Sequence, residues 1–269
     1  MKYTLSLIAL LQLAGHAVAA ESPFSIDSDD AIKKTASTLA SDLLKYYKGN
    51  EPGETPGLLP DPYYFWQAGA MWSSLVEYWH YTGDSSHNDL VSNAILSQIS
   101  LNKDFMPLNQ TLYEGNDDQS FWALAALVAA ERGLPNHLKD YAQWIELVQN
   151  AFNEQVARWD TKTCGGGLRW QILEFNRGYD YKNTVSNGAL FNIASRLARY
   201  TGNQTYSDWA SKTYDWTSKV GLITDDFKVY DGAQVEDDCK AMVPYEFTIN
   251  NAVLAHGAAN MYNVVSIAP

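Results

Sequence analysis

Two adjacent carboxylates, Asp117 and Asp118, stand where the chain has just broken at Gly115 and a helical pattern begins. The stretch reads Tyr113-Glu114-Gly115-Asn116-Asp117-Asp118-Gln119-Ser120-Phe121-Trp122. Asn116 is a good helix N-cap, and Gln119, three residues on, completes a capping-box pattern. Phe121, Leu124, Ala125, Leu127 and Val128 then supply an apolar helical face. Both aspartates therefore fall in a first helical turn, with carboxyl groups expected about 5–6 Å apart. A retaining glycosidase needs its two carboxyls about 5–5.5 Å apart. Acidic first turns also arise for a purely structural reason, because the helix dipole favours negative charge there. The pair alone does not separate these two readings.

Helices must carry this pair, and the apolar periodicity predicts them near 29–48, 63–82, 86–101, 117–132, 137–158, 184–200, 204–219 and 246–262. Residues 49–62, rich in Pro and Gly, read as a loop; residues 160–182 and 220–245 read as short hairpins. Tyr81-Thr82-Gly83-Asp84 recurs as Tyr200-Thr201-Gly202-Asn203, and Glu131-Arg132-Gly133 stands between them. Each puts glycine just past a helix end, as in stacked helical hairpins.

The opening residues, 1–20, have the form of a secretory signal: Lys2, an apolar core from Leu5 to Leu13, and a small-residue site at Ala17-Val18-Ala19. The remainder, 21–269, reads as one secreted domain, with no stretch long and apolar enough to span a bilayer. Without Lys2 it holds 18 basic and 31 acidic side chains, a net −13, which argues against nucleic acid and anionic membranes as partners. Nine tryptophans and seventeen tyrosines exceed what a core of this size needs, and flat rings suit the faces of pyranose sugars. In an oxidising compartment Cys164 and Cys239 are expected to pair, closing a long loop worth about 3–4 kcal/mol. Asn109-Gln110-Thr111 and Asn203-Gln204-Thr205 are glycosylation sequons. Scattered histidines and the pairs Asp225-Asp226 and Asp237-Asp238 fit no metal pattern, so no metal or cofactor is expected.

Three segments in order carry a family resemblance. Gly115-Asn116-Asp117-Asp118-Gln119, Gly165-Gly166-Gly167-Leu168-Arg169-Trp170-Gln171 and Tyr181-Lys182-Asn183-Thr184-Val185-Ser186-Asn187-Gly188 resemble the signature segments of glycoside hydrolase family 76. These are the α-1,6-mannanases, with a fungal cell-wall branch of the Dfg5/Dcw1 type. The resemblance implies an all-α (α/α)6 barrel of six hairpins around a cleft. It also implies retaining hydrolysis, or transfer, of α-1,6-linked mannose chains in cell-wall mannan by a secreted or wall-bound protein. By the same resemblance Asp117 is the nucleophile and Asp118 the acid/base. Tyr113, Asn116, Trp122, Trp170, Tyr181 and Asn187 are the candidates for substrate binding. Trp122 suits the core equally well, and Asn187 a structural cap. Eight helices against the twelve of such a barrel predict an incomplete toroid, without the lipid-anchor tail of fungal members. The alternative is a non-catalytic mannan-binding wall protein.

Overall fold

The computed structural model describes residues 24–267; the expected signal segment, residues 1–20, lies outside them. Eight helices run through the described residues: α1 (Asp29–Leu44), α2 (Phe65–Thr82), α3 (Asn88–Ser97), α4 (Asn116–Arg132), α5 (Trp144–Ala157), α6 (Thr184–Thr201), α7 (Gln204–Val220) and α8 (Thr248–Ile267). Three short strands, β1 (Tyr181–Asn183), β2 (Gly232–Gln234) and β3 (Met242–Val243), form one antiparallel sheet in the order β1-β2-β3. Tyr181 pairs with Gln234, and Gly232 with both Asn183 and Val243.

Helix ends follow the glycines. Gly83, Gly133 and Gly202 take φ of 78°, 69° and 70° just past α2, α4 and α6, a left-handed turn that only glycine enters freely. Chain reversal at these points makes hairpins. α2, α4, α6 and α8 pack against one another in succession. α1 and α3 flank α2, α5 covers α4 and α6, and α7 covers α6 and α8. Burial separates the two layers: fourteen of the eighteen residues of α6 are buried, but in α1 only Ala40 is. This is an arc of an all-α toroid, four helical hairpins long among the described residues.

α1 ends earlier and α8 later than expected, at Leu44 and Ile267; at two further boundaries side chains compete with helical hydrogen bonding. Asn136 accepts from Leu138 N–H at 2.8 Å and donates to Ala142 O at 2.7 Å, which curls residues 136–142 and delays α5 to Trp144. α3 stops at Ser97, where Ser97 and Gln98 turn to the carbonyl of Pro56. The expected hairpin in 160–182 contributes β1 and an isolated bridge from Gln171 to Gly115.

Candidate active site

The start of α4 is built differently from the sequence expectation. Its N-cap is Gly115, not Asn116, and the side chain that reaches back is that of Asp118, whose Oδ2 accepts from Gly115 N–H at 2.8 Å. Gly115 is required there: a Cβ would lie 2.3 Å from Asp117 Oδ1 and 3.2 Å from Asp118 Oδ2. Asn116 opens the helix and is buried. Its side chain donates to Arg169 O at 2.9 Å and accepts from Arg158 Nε at 2.9 Å. Below it, Gln155 donates to Asn116 O and to Ser120 Oγ, and Arg158 also binds Gln119.

A loop from Asp160 to Asp180 is pinned against this helix start. Lys182, wholly buried, donates its ammonium to the carbonyls of Asp160, Thr163 and Gly166 at 3.1, 2.8 and 2.6 Å. The Cys164–Cys239 disulfide ties the loop to the strand region, with the Cα atoms 5.4 Å apart. The triple glycine serves close approach: a Cβ on Gly167 would meet the Trp216 ring at 2.3 Å. Asn187 grips Leu168 at both backbone groups, accepting from its N–H at 2.7 Å and donating to its carbonyl at 3.0 Å. Trp170 then donates its N–H to Tyr181 O and accepts at its own carbonyl from Asn116 N–H. That register lets the Trp170 indole N–H reach Asp117 Oδ2 at 3.2 Å.

The result is a cleft of about 360 Å³ with Asp117, Asp118 and Glu114 in its wall. Tyr64 and Tyr113 stand at it, 70% and 78% exposed, as free aromatic faces. Phe65, Trp66, Gln110, Trp170 and Gln171 complete the lining.

Burial raises the affinity of both aspartates for a proton. Asp117 is raised further by the charge of Asp118, while backbone N–H groups and Trp170 oppose that rise. Asp118 is held down by the N–H of Gly115 and by that of Trp66, in the first turn of α2. Two neighbouring buried carboxyls share a proton more easily than they both ionise. Hydrogen bonds to both carboxyls oppose the rise, and the pair takes up and releases protons as one unit.

Of the candidates read from the sequence, Asp117, Asp118, Tyr113 and Trp170 meet in this cleft. The other four are engaged elsewhere. Asn116 and Asn187 spend their amides on the chain itself, and Trp122 is fully buried, stacked on Phe65 with its N–H on Phe65 O. Tyr181 stands behind Trp170, and its hydroxyl donates to Asp231 at 2.7 Å. Tyr64, Gln110, Glu114 and Gln171 were not among the candidates. Tyr64 had a signal, as part of the aromatic run Tyr63-Tyr64-Phe65-Trp66 at a helix start. Asn109 and Asn203 are exposed, and Asn203 caps α7. No helix among the described residues is long and apolar enough to cross a membrane.

The chain matches the model of glycosyl hydrolase family 76 over residues 31–266. It is 48% identical to the mannan endo-1,6-alpha-mannosidase DCW1 of Candida glabrata, over 89% of this chain and 54% of that protein. It is 40% identical to the mannan endo-1,6-alpha-mannosidase DFG5 of Saccharomyces cerevisiae, over 89% and 53%. The chain thus spans about half the length of the curated relatives it matches. Among solved structures, Dfg5 of Chaetomium thermophilum in complex with glucosamine superposes with a TM-score of 0.88 at 45% identity, covering 91% of this chain and 62% of that one. An α-1,6-mannanase of Salegentibacter with bound α-1,6-mannotriose gives 0.69 at 18% identity, covering 87% and 65%. The second likeness bears on the fold alone.

Proposed function

The chain belongs to glycosyl hydrolase family 76, and from that premise we propose that it cleaves α-1,6-mannosidic bonds in cell-wall mannan with retention of configuration. The observation that carries the reading is the aspartate pair, set in a cleft flanked by two exposed tyrosines and hydrogen-bonded from Trp170. Retention needs two steps. A carboxylate oxygen of Asp117 attacks the anomeric carbon, the glycosidic bond breaks, and the leaving oxygen takes a proton from Asp118. Asp118, now ionised, takes a proton from water or an acceptor hydroxyl, whose oxygen displaces Asp117. In the free protein burial and mutual repulsion favour one shared proton on the pair. The role assignment requires that shared proton on Asp118 when the glycosidic oxygen arrives. Removal of the signal at 1–20 would deliver the protein to the wall, where mannan is its partner.

Incubation with α-1,6-mannan, with and without an acceptor oligosaccharide, tests the activity. New reducing ends mean hydrolysis, and acceptor-linked products mean transfer. Binding without any product supports the alternative of a mannan-binding wall protein. An aryl α-1,6-mannobioside with a good leaving group separates the two roles. Asp118→Ala retains a burst of aryl release, because no acid is needed for the first step, and then stalls without the base of the second; Asp117→Ala loses the burst.

A further inference from the structure

Glu114 is the cleft residue that neither the fold nor the two-aspartate chemistry uses. It is 2% exposed, it lines the same cavity as the aspartates, and neither carboxyl oxygen has a hydrogen-bond partner. A buried carboxyl with nothing to bind costs stability and is kept by a fold only where something else uses it. We propose that Glu114 is a third carboxyl of the site, making a direct hydrogen bond to a hydroxyl of the sugar ring seated beside Asp117 and Asp118. This rests on the reading of the cleft as a glycoside site.

The chemistry of the wall selects a neutral hydroxyl. Asp118 and Asp104 act on Glu114 as like charges and Arg158 as the opposite one, with burial the largest influence. Burial and the two like charges outweigh Arg158 and push its carboxyl up to about 9, so at neutral pH it holds a proton. Arg158 is already engaged by Asn116, Gln119 and Glu154, and leaves Glu114 without an ion pair. A protonated carboxyl has one donor and spare acceptor capacity. That is the complement of a sugar hydroxyl, which also gives one hydrogen and accepts others. An ionised third carboxyl beside the aspartate pair would raise the cost of the anion that attack requires.

The test uses Glu114→Leu and Glu114→Gln in the whole chain, with α-1,6-mannotriose as the probe. Glu114→Leu is expected to weaken mannotriose binding, and to lower kcat/KM on mannan, by about tenfold or more. It is also expected to raise Tm, because an unpaired buried carboxyl has been replaced by an apolar group. Glu114→Gln keeps a donor and an acceptor without charge, and should stay within a few-fold of the parent. Leucine that lowers Tm and binding together would mark a structural role and overturn the proposal, as would leucine that binds the triose as tightly as the parent. Glutamine as damaging as leucine would mean that the group acts as an anion, which also overturns it. A parent protein that neither binds nor cleaves the triose defeats the mannan reading itself, a result distinct from failure of the variants alone.

Discussion

Two inner helices begin after a few residues of extended chain, α4 at Asn116 and α6 at Thr184, and their polar groups are treated in opposite ways. At α6, Lys182 gives its ammonium to three carbonyls, Asn183 caps Ser186 N–H, and Asn187 spends its amide on Leu168 and Asn183. In the first turn of α6 the Ser186 hydroxyl is the buried side-chain group that lacks a partner. At α4, both oxygens of Glu114 and Oδ1 of Asp117 lack one. Neutral amides and a satisfied ammonium hold a loop in place. Unsatisfied carboxyls in a cleft hold nothing, and are retained where stability yields to chemistry.

The largest effect is expected from breaking the α4 side. Asp117→Asn and Asp118→Asn should each lower kcat on mannan by about 10³-fold or more, with Tm held or raised, measured by reducing-end release and thermal melting. Loss of Tm along with activity would place α4 in the same structural class as α6. Breaking the α6 side should do the reverse. Lys182→Met leaves three buried carbonyls without their donor and Asp160 with Arg169 alone, and is expected to cost about 3–5 kcal/mol of stability, read from urea melts. A smaller effect should follow from Gly115→Ala. Its Cβ collides with Asp117 Oδ1 and crowds Trp170 O, so the pair is displaced while the helices stay. About a 10²-fold loss of kcat/KM with a cooperative melt is the expected outcome.

The eight helices were legible because apolar period and glycine punctuation agree along the chain, as at Gly83, Gly133 and Gly202. The aspartate pair was legible because local sequence places it in a first turn. What was not legible is direction. Asn116, Trp122 and Asn187 lie in or beside the signature segments, yet each turns inward, to Arg169 O, Phe65 O and Leu168. That choice is made by residues some 20 to 57 positions away, which periodicity does not see. Glu114 was hidden for the converse reason. A glutamate before a glycine reads as solvated loop charge, and its burial depends on how the distant loop at Trp170 and Gln171 bridges to Gly115.

The finest resolution of the contrast is its pH dependence. The Glu114 carboxyl lies at about 9 in the folded protein against an ordinary 4.5, raised first by burial and then by the charge of Asp118. Between those limits the folded state holds a proton that the unfolded chain has released, so stability falls as pH rises. Its contribution is complete below about 4.5 and is lost progressively toward 9. From pH 5 to pH 7 the loss amounts to at most about 2–3 kcal/mol. Asp117 and Asp118 are also raised by burial and act in the same direction, so the parent slope belongs to all three carboxyls. Glu114→Gln removes one of them, and the difference between the two melting curves against pH isolates it. The parent should lose Tm more steeply than the variant across this window. Parallel curves would mean that Glu114 is ionised when folded, and the distinction between an open helix start and a closed one would then rest on Asp117 alone.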